Sequence, residues 1–143
     1  MTTVIRYANT HKTKGLIKPR EGDAGYDLYA PWDFIIKPND HYLMHTGIHI
    51  ELPENTIGWI TDRSSMARKD ITVIGGIVDS SYRGSISVIL ANLHPRETAK
   101  IKQGDRVAQM IIVPVLTPDT EEVELEELSE TERGMRGFGS TGR

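Results

Sequence analysis

GGIVDSSYRGSISVIL, residues 75–90, is the stretch on which the reading of this chain turns. Its two glycines let the backbone turn tightly and approach a ligand with no Cβ in the way. Ile77 and Val78 lead to a single acid, Asp79, and Ser80, Ser81, Tyr82, Arg83 and Gly84 make a polar turn. Beyond the turn, Ile86, Val88 and Leu90 alternate with Ser85, Ser87 and Ile89, the period-2 pattern of a strand with one buried face. The pattern predicts a β-hairpin carrying an acid and an aromatic ring at its mouth. An acid three residues before a tyrosine, between two rigid strands, suits a site that activates water beside a flat ligand. A surface turn that uses Asp, Ser and Gly as turn formers fits the same letters. The stretch alone leaves both readings open.

The segments around it are also strand-like. TVIRYA opens with alternating Val4 and Tyr7. A basic loop with Gly15, Pro19, Gly22 and Gly25 then runs into AGYDLYA, residues 24–30, where Asp27 lies between two tyrosines in a short strand. Residues 34–65 read as two or three strands cut by Pro38-Asn39 and Pro53-Glu54-Asn55. Ile48, Ile50 and Leu52 form one face there, and Ile57, Trp59 and Thr61 another. SSMARKD is the one piece that resembles a helical turn, after a serine able to cap it. VILANLHP predicts a strand ending at Pro95, and GDRVAQMIIVPVL a turn followed by a strongly apolar strand. Short strands punctuated by turns about every ten residues predict an all-β fold, a sandwich, jelly roll or barrel.

The chain has 143 residues, 38% apolar and 26% charged, which reads as one soluble domain. It contains no cysteine, which rules out disulfides, a thiol nucleophile and cysteine-bound zinc and suits a reducing cytoplasm. No apolar run approaches a membrane span. A formal charge of −3 argues against direct nucleic-acid binding, though a few local arginines can still bind one phosphate chain. His41, His45 and His49 have a spacing that would gather on a helix, but the stretch is strand-like and no further ligand cluster supports zinc.

Three further constellations carry chemistry. RGMRGFGSTGR, residues 133–143, supplies Arg133 and Arg136 for phosphate, Ser140 and Thr141 as hydroxyl donors, and Phe138 as a face for a base. Too apolar-poor to fold by itself, it reads as a flexible Gly-rich tail, either a lid over a polyphosphate or an inert terminus. TDRSSMA places Arg63, Ser64 and Ser65 at a helical turn, as anion binders or plain caps. Gln109, inside an apolar strand, needs a partner from the backbone or from a ligand.

AGYDLYA, DRSSMA, GGIVDSSYRG, GDRVAQ and RGMRGFGSTG, in that order and at these separations, resemble the five motifs of the homotrimeric dUTPases, over residues 24–142. The resemblance implies a jelly-roll-like β-barrel over residues 1–132 with a lid segment at 133–143. It implies a homotrimer with sites at the subunit contacts, and hydrolysis of dUTP to dUMP and pyrophosphate with Mg²⁺. By that similarity Asp27 holds Mg²⁺ through water, and Arg63, Ser64 and Ser65 bind phosphate. Asp79 deprotonates the attacking water and Tyr82 lies beneath the deoxyribose. The backbone over Val73, Gly76, Ile77 and Val78 is the hairpin that reads uracil. Gln109 supports the phosphate chain, Arg133 clamps the γ-phosphate, Phe138 stacks on uracil, and Gly139, Ser140 and Thr141 wrap the terminal phosphates. A regulatory protein partner is implied if the chain is phage-derived. Three positions depart from the usual motifs: Asp62 stands where proline is frequent, Ser65 where glycine is, and Ser81 where an acid or glycine is. A dCTP deaminase would share the fold, but needs a glutamate beside the base and lacks this ending.

Overall fold

The computed structural model describes residues 4–139. Eleven strands are present there: β1 (Arg6–Asn9), β2 (Tyr26–Tyr29), β3 (Phe34–Ile36), β4 (His41–His45), β5 (Ile48–Glu51), β6 (Thr56–Thr61), β7 (Ile71–Ile74), β8 (Ile77–Asp79), β9 (Ser87–Asn92), β10 (Ala99–Ile101) and β11 (Arg106–Pro114). One helical turn, α1 (Ser64–Ala67), follows β6, and a 3₁₀ turn spans Leu125–Glu127. The fold is all-β and jelly-roll-like, with every ladder antiparallel. A four-stranded sheet has the order β2-β11-β6-β8 and a three-stranded sheet the order β4-β9-β7, joined by the pairs β1-β5 and β3-β10. The ladders do not close into one continuous barrel. Among the described residues no helix is long and apolar enough to cross a membrane.

Alternation sets the core. Ile86, Val88 and Leu90 all point inward, and meet Met44 from β4, Leu28, Ile60, Val78 and Met110 from the four-stranded sheet, and Ile48 and Ile50 from β5. Removing such side chains from water stabilises the fold by roughly 1.5–3 kcal/mol each. Ile48, Ile50 and Leu52 are buried as their spacing predicts.

The predicted hairpin at residues 75–90 does not form. Asp79 pairs with Ile57 of β6, whereas β9 pairs with β4 and β7, so the Ser80–Gly84 turn carries the chain from one sheet to the other. Residues 73–78 are likewise no hydrogen-bonded hairpin, because β7 and β8 belong to different sheets. Gly75 (φ +78°) and Gly76 (φ +116°) bridge them in a conformation L side chains rarely adopt. The Gly76 carbonyl accepts the Ile60 N–H at 2.6 Å, leaving no space for a Cβ.

Other boundaries shift. Residues 34–65 hold four strands, because Gly47 (φ +74°) separates β4 from β5 and β3 has only three residues. β9 stops at Asn92, before Pro95, where the buried Asn92 amide donates to the Ile36 and Glu97 carbonyls. β10 has no period-2 signal in three residues and was not expected. Val4 and Tyr7 are exposed, so the opening strand lies on the surface. There Arg6 grips Glu51 at 2.8 and 2.9 Å, and this hydrogen bonding holds the Glu51 carboxyl below its ordinary range. No serine caps α1; Arg63 takes that place without a side-chain cap bond.

Candidate active site

The residues singled out before the tail, Ser65 excepted, gather in two separate recesses. The first is a polar cradle of about 410 Å³ at one end of the four-stranded sheet, lined by Asp27, Arg63, Ser64 and Gln109, among others. Register brings them together: Gln109 of β11 pairs with Asp27 of β2 on one side and Thr61 of β6 on the other. Arg63 follows two residues later. Its Nε lies 3.1 Å from Asp27 Oδ1, and its Nη1 donates to the Arg106 carbonyl at 3.3 Å and to Ser65 Oγ at 3.4 Å. Arg106 reaches the other Asp27 oxygen at 3.9 Å. Gln109 finds its partner in the backbone, donating to the Asp62 carbonyl at 2.9 Å. Gly25 leaves room for that amide, since a Cβ there would strike Gln109 Oε1.

Asp62, the acid where proline is frequent, does not face the cradle. Its carboxylate accepts the Thr72 hydroxyl at 2.9 Å and the Val73 N–H at 2.6 Å, tying the start of α1 to β7. Asp62→Ala is therefore expected to lower unfolding free energy by about 1–2 kcal/mol, the usual cost of orphaning such donors. Denaturant unfolding checks it; a variant of unchanged stability with tighter phosphate binding would instead mean that the carboxylate acts on the cradle.

The second recess, a slot of about 250 Å³, is lined by Val73, Gly76, Ile77, Val78, Asp79 and Tyr82, with Ile60, Ile86 and Ile89 as apolar walls. Among the described residues the Asp79 carboxylate has no hydrogen-bond or ion-pair partner, so both oxygens are available to water. The turn after it is braced. Arg83 Nη1 donates to the carbonyls of Ser80 (2.7 Å), Tyr82 (3.1 Å) and Ile50 (3.4 Å). His49 Nδ1 lies 2.8 Å from the Arg83 carbonyl, which only accepts, so Nδ1 carries the proton. Tyr82 stands over Gly84 and donates to the Ser85 carbonyl at 3.1 Å.

The two recesses share no residue and lie at opposite corners of one sheet. The Asp27–Gln109–Thr61 row and the Val113–Ile57–Asp79 row are four residues apart along β6, and β2 and β8 are three strands apart. At standard strand dimensions these are about 13 Å and about 14 Å, which separates Asp27 from Asp79 by about 19 Å. Between them the outer face carries Trp59, Ile77 and Ile111 in one cross-strand row, with Trp59 and Ile77 47% and 59% exposed. The second predicted face of residues 48–61 is real, but it points away from the core.

The structure brings the tail to neither recess. Phe138 is fully exposed, and Arg133 is engaged locally, donating to the Arg136 carbonyl at 3.0 Å. Gly139 ends the described residues; Ser140 and Thr141 lie outside them. Sequence reasoning missed Lys18, Arg20, Asp23, Tyr29 and Arg106 in the cradle. Arg106 lies within GDRVAQ, and Lys18 and Arg20 lie in the basic loop before AGYDLYA.

A charged cradle and a largely apolar slot stand on one all-β scaffold, the setting in which a phosphorylated, flat ligand would find partners for both its ends. The model of the dUTPase family matches residues 12–142, and the chain belongs to that family. It is similar to the deoxyuridine 5'-triphosphate nucleotidohydrolase of Clostridium tetani, 46% identical over 126 residues that cover 86% of this chain and 85% of that one. The monkeypox virus enzyme of that name is 41% identical over 133 residues, covering 93% and 86%. The dUTPase of Staphylococcus bacteriophage 80alpha, solved with dUpNHpp, superposes with a TM-score of 0.90 at 26% identity, over 99% of this chain and 100% of that one.

Proposed function

We propose that this chain hydrolyses dUTP to dUMP and pyrophosphate, as a homotrimer working in the cytoplasm. The observation that supports this reading is how the motif residues sort: Asp27, Arg63, Ser64 and Gln109 line the cradle, and Val73, Gly76, Ile77, Val78, Asp79 and Tyr82 line the slot. At about 19 Å, Asp27 and Asp79 of one chain cannot serve one triphosphate. A site is complete only when the slot of one copy meets the cradle of another, and the family resemblance sets the number at three. The apolar row of Trp59, Ile77 and Ile111 is a surface that a neighbouring copy would cover.

In the assembled site Asp79 orders a water and takes its proton as the oxygen attacks the α-phosphorus. General-base help of this kind contributes about 10²–10⁴-fold. Tyr82, packed against the sugar, leaves no room for a 2′-hydroxyl. The backbone over Val73, Gly76, Ile77 and Val78 offers groups to the uracil edge; cytosine would leave such groups wrongly paired. Arg63, Ser64, Ser65 and Gln109 hold the phosphate chain. Residues 133–143 act as the lid, with Arg133 on the γ-phosphate, Phe138 on the base, and Gly139, Ser140 and Thr141 around the terminal phosphates.

The cradle fits magnesium in one mode only. Among the described residues no group of three His, Cys, Asp or Glu could hold an ion. The cradle has two carboxylates, Asp23 and Asp27, too few for an all-protein cage, and Asp27 suits an ion that takes most of its ligands from water and phosphate oxygens. When bound, Mg²⁺ supplies charge neutralisation on the triphosphate, and Asp27 would hold its hydration shell.

The test is pyrophosphate release from dUTP beside dCTP, dTTP and UTP, with and without Mg²⁺. Release from dUTP at least about a hundredfold faster than from dCTP is expected, since mispaired polar groups cost that much or more, and slower release from UTP and dTTP follows from the missing space for a 2′-hydroxyl or a 5-methyl group. Ammonia from dCTP, or no turnover at all, would overturn the assignment.

A further inference from the structure

Resting on the dUTP reading, we propose that Lys18 and Arg20 form a distal anion subsite that holds the outgoing pyrophosphate. Both line the cradle, and both also line the open recess behind the loop of residues 18–24. The loop presents them in a fixed way. Pro19 locks its own φ and keeps Lys18 extended, so residues 18 and 20 face one side. A turn closed by the Asp23 N–H on the Arg20 carbonyl at 2.9 Å, with Gly22 at φ +91°, anchors the far end.

The charges indicate what these two side chains are for. The cradle holds four cations, Lys18, Arg20, Arg63 and Arg106, and two carboxylates, Asp23 and Asp27. Arg63 is committed to Asp27 and to the Arg106 carbonyl, and Arg106 shares Asp27. Lys18 and Arg20 make no side-chain hydrogen bond or ion pair among the described residues. Arg63 and Arg106 against Asp27 leave one net positive charge and Lys18 and Arg20 against Asp23 leave the other, so the two cations without a side-chain partner are those on the loop, with Glu21 lining the open recess behind it. A nucleoside monophosphate needs little of their charge; the two-phosphorus leaving group, which carries the most charge once the bond to the α-phosphorus breaks, needs it most. The guanidinium and ammonium reach its oxygens by charge-assisted hydrogen bonds.

The probe is inorganic pyrophosphate alone, titrated by calorimetry into the full chain and into Lys18→Gln/Arg20→Gln. Affinity is expected to fall at least about tenfold, as for the loss of two exposed charge-assisted contacts. The dUMP affinity and the melting temperature should be unchanged, and kcat/KM for dUTP should fall with the pyrophosphate affinity. Equal pyrophosphate binding by the two proteins, or none by the parent, overturns the subsite. So does an equal loss in Lys37→Gln/Lys100→Gln, which would reduce the effect to net charge. A parent chain that binds pyrophosphate through Lys18 and Arg20 yet releases none from dUTP would sink the hydrolase reading and leave the subsite standing.

Discussion

Asp79→Asn is expected to lower turnover of dUTP at least about a hundredfold while leaving dUMP affinity within about a factor of two. The amide keeps the shape of the carboxylate but cannot accept a proton. Nothing structural should be lost, because the Asp79 carboxylate is exposed and braces no neighbour; Arg83 holds the turn through carbonyl groups instead. Val78, next to it, stays buried in the core and fixes the backbone. The slot therefore survives the change, and the loss should fall on kcat rather than on KM. Steady-state pyrophosphate release and dUMP calorimetry on the same preparation check both halves. A variant with near-parental turnover would remove Asp79 from the base role. A variant that lost dUMP binding in step with turnover would make the residue a nucleoside contact.

What the sequence made legible was which residues point inward and which carry chemistry. Ile86, Val88 and Leu90 are buried as their alternation predicts, and the acid and tyrosine of the turn share a recess. What it left hidden was partnership. Alternation in β8 and β9 looks the same whether the two strands pair with each other or leave for different sheets. The choice is made by β6 and by β4 and β7, which are distant in sequence. The direction of the Ile57, Trp59, Thr61 face was hidden for the same reason: period 2 names two faces without saying which is covered. Gln109 could be flagged as needing a partner, yet only the bulge and register of β11 against β2 and β6 show that the Asp62 carbonyl supplies it. Lys18 and Arg20 carried no signal beyond basic character, because a solvated loop and an anion site have the same composition. Pro19 between them was the one local cue.

Two individually inactive variants should recover activity when combined. Asp27→Ala removes the carboxylate that pairs with Arg63, and Asp79→Asn removes the proton acceptor. Each homotrimer alone is expected to be nearly silent. In a closed ring whose sites join the cradle of one copy to the slot of the next, refolding the two together in equal amounts makes some mixed sites. About a quarter of them draw Asp27 from one variant and Asp79 from the other, so activity should return to about a quarter of the parental rate. Affinity purification through a tag on only one variant would confirm that mixed rings carry it. If the two carboxylates served one chain, every site in the mixture would stay broken and no activity would return. The register is the reason to expect recovery, since at standard strand dimensions the pairing places Asp27 and Asp79 about 19 Å apart on one sheet. The apolar row between them gives a second copy a reason to stay. Covering Trp59 and Ile77 is worth up to roughly 1.5–3 kcal/mol for each side chain at full burial, and less here because each is about half-exposed at the start. The same contact that hides this row would carry the neighbour's slot toward the cradle, so assembly and catalysis stand or fall together.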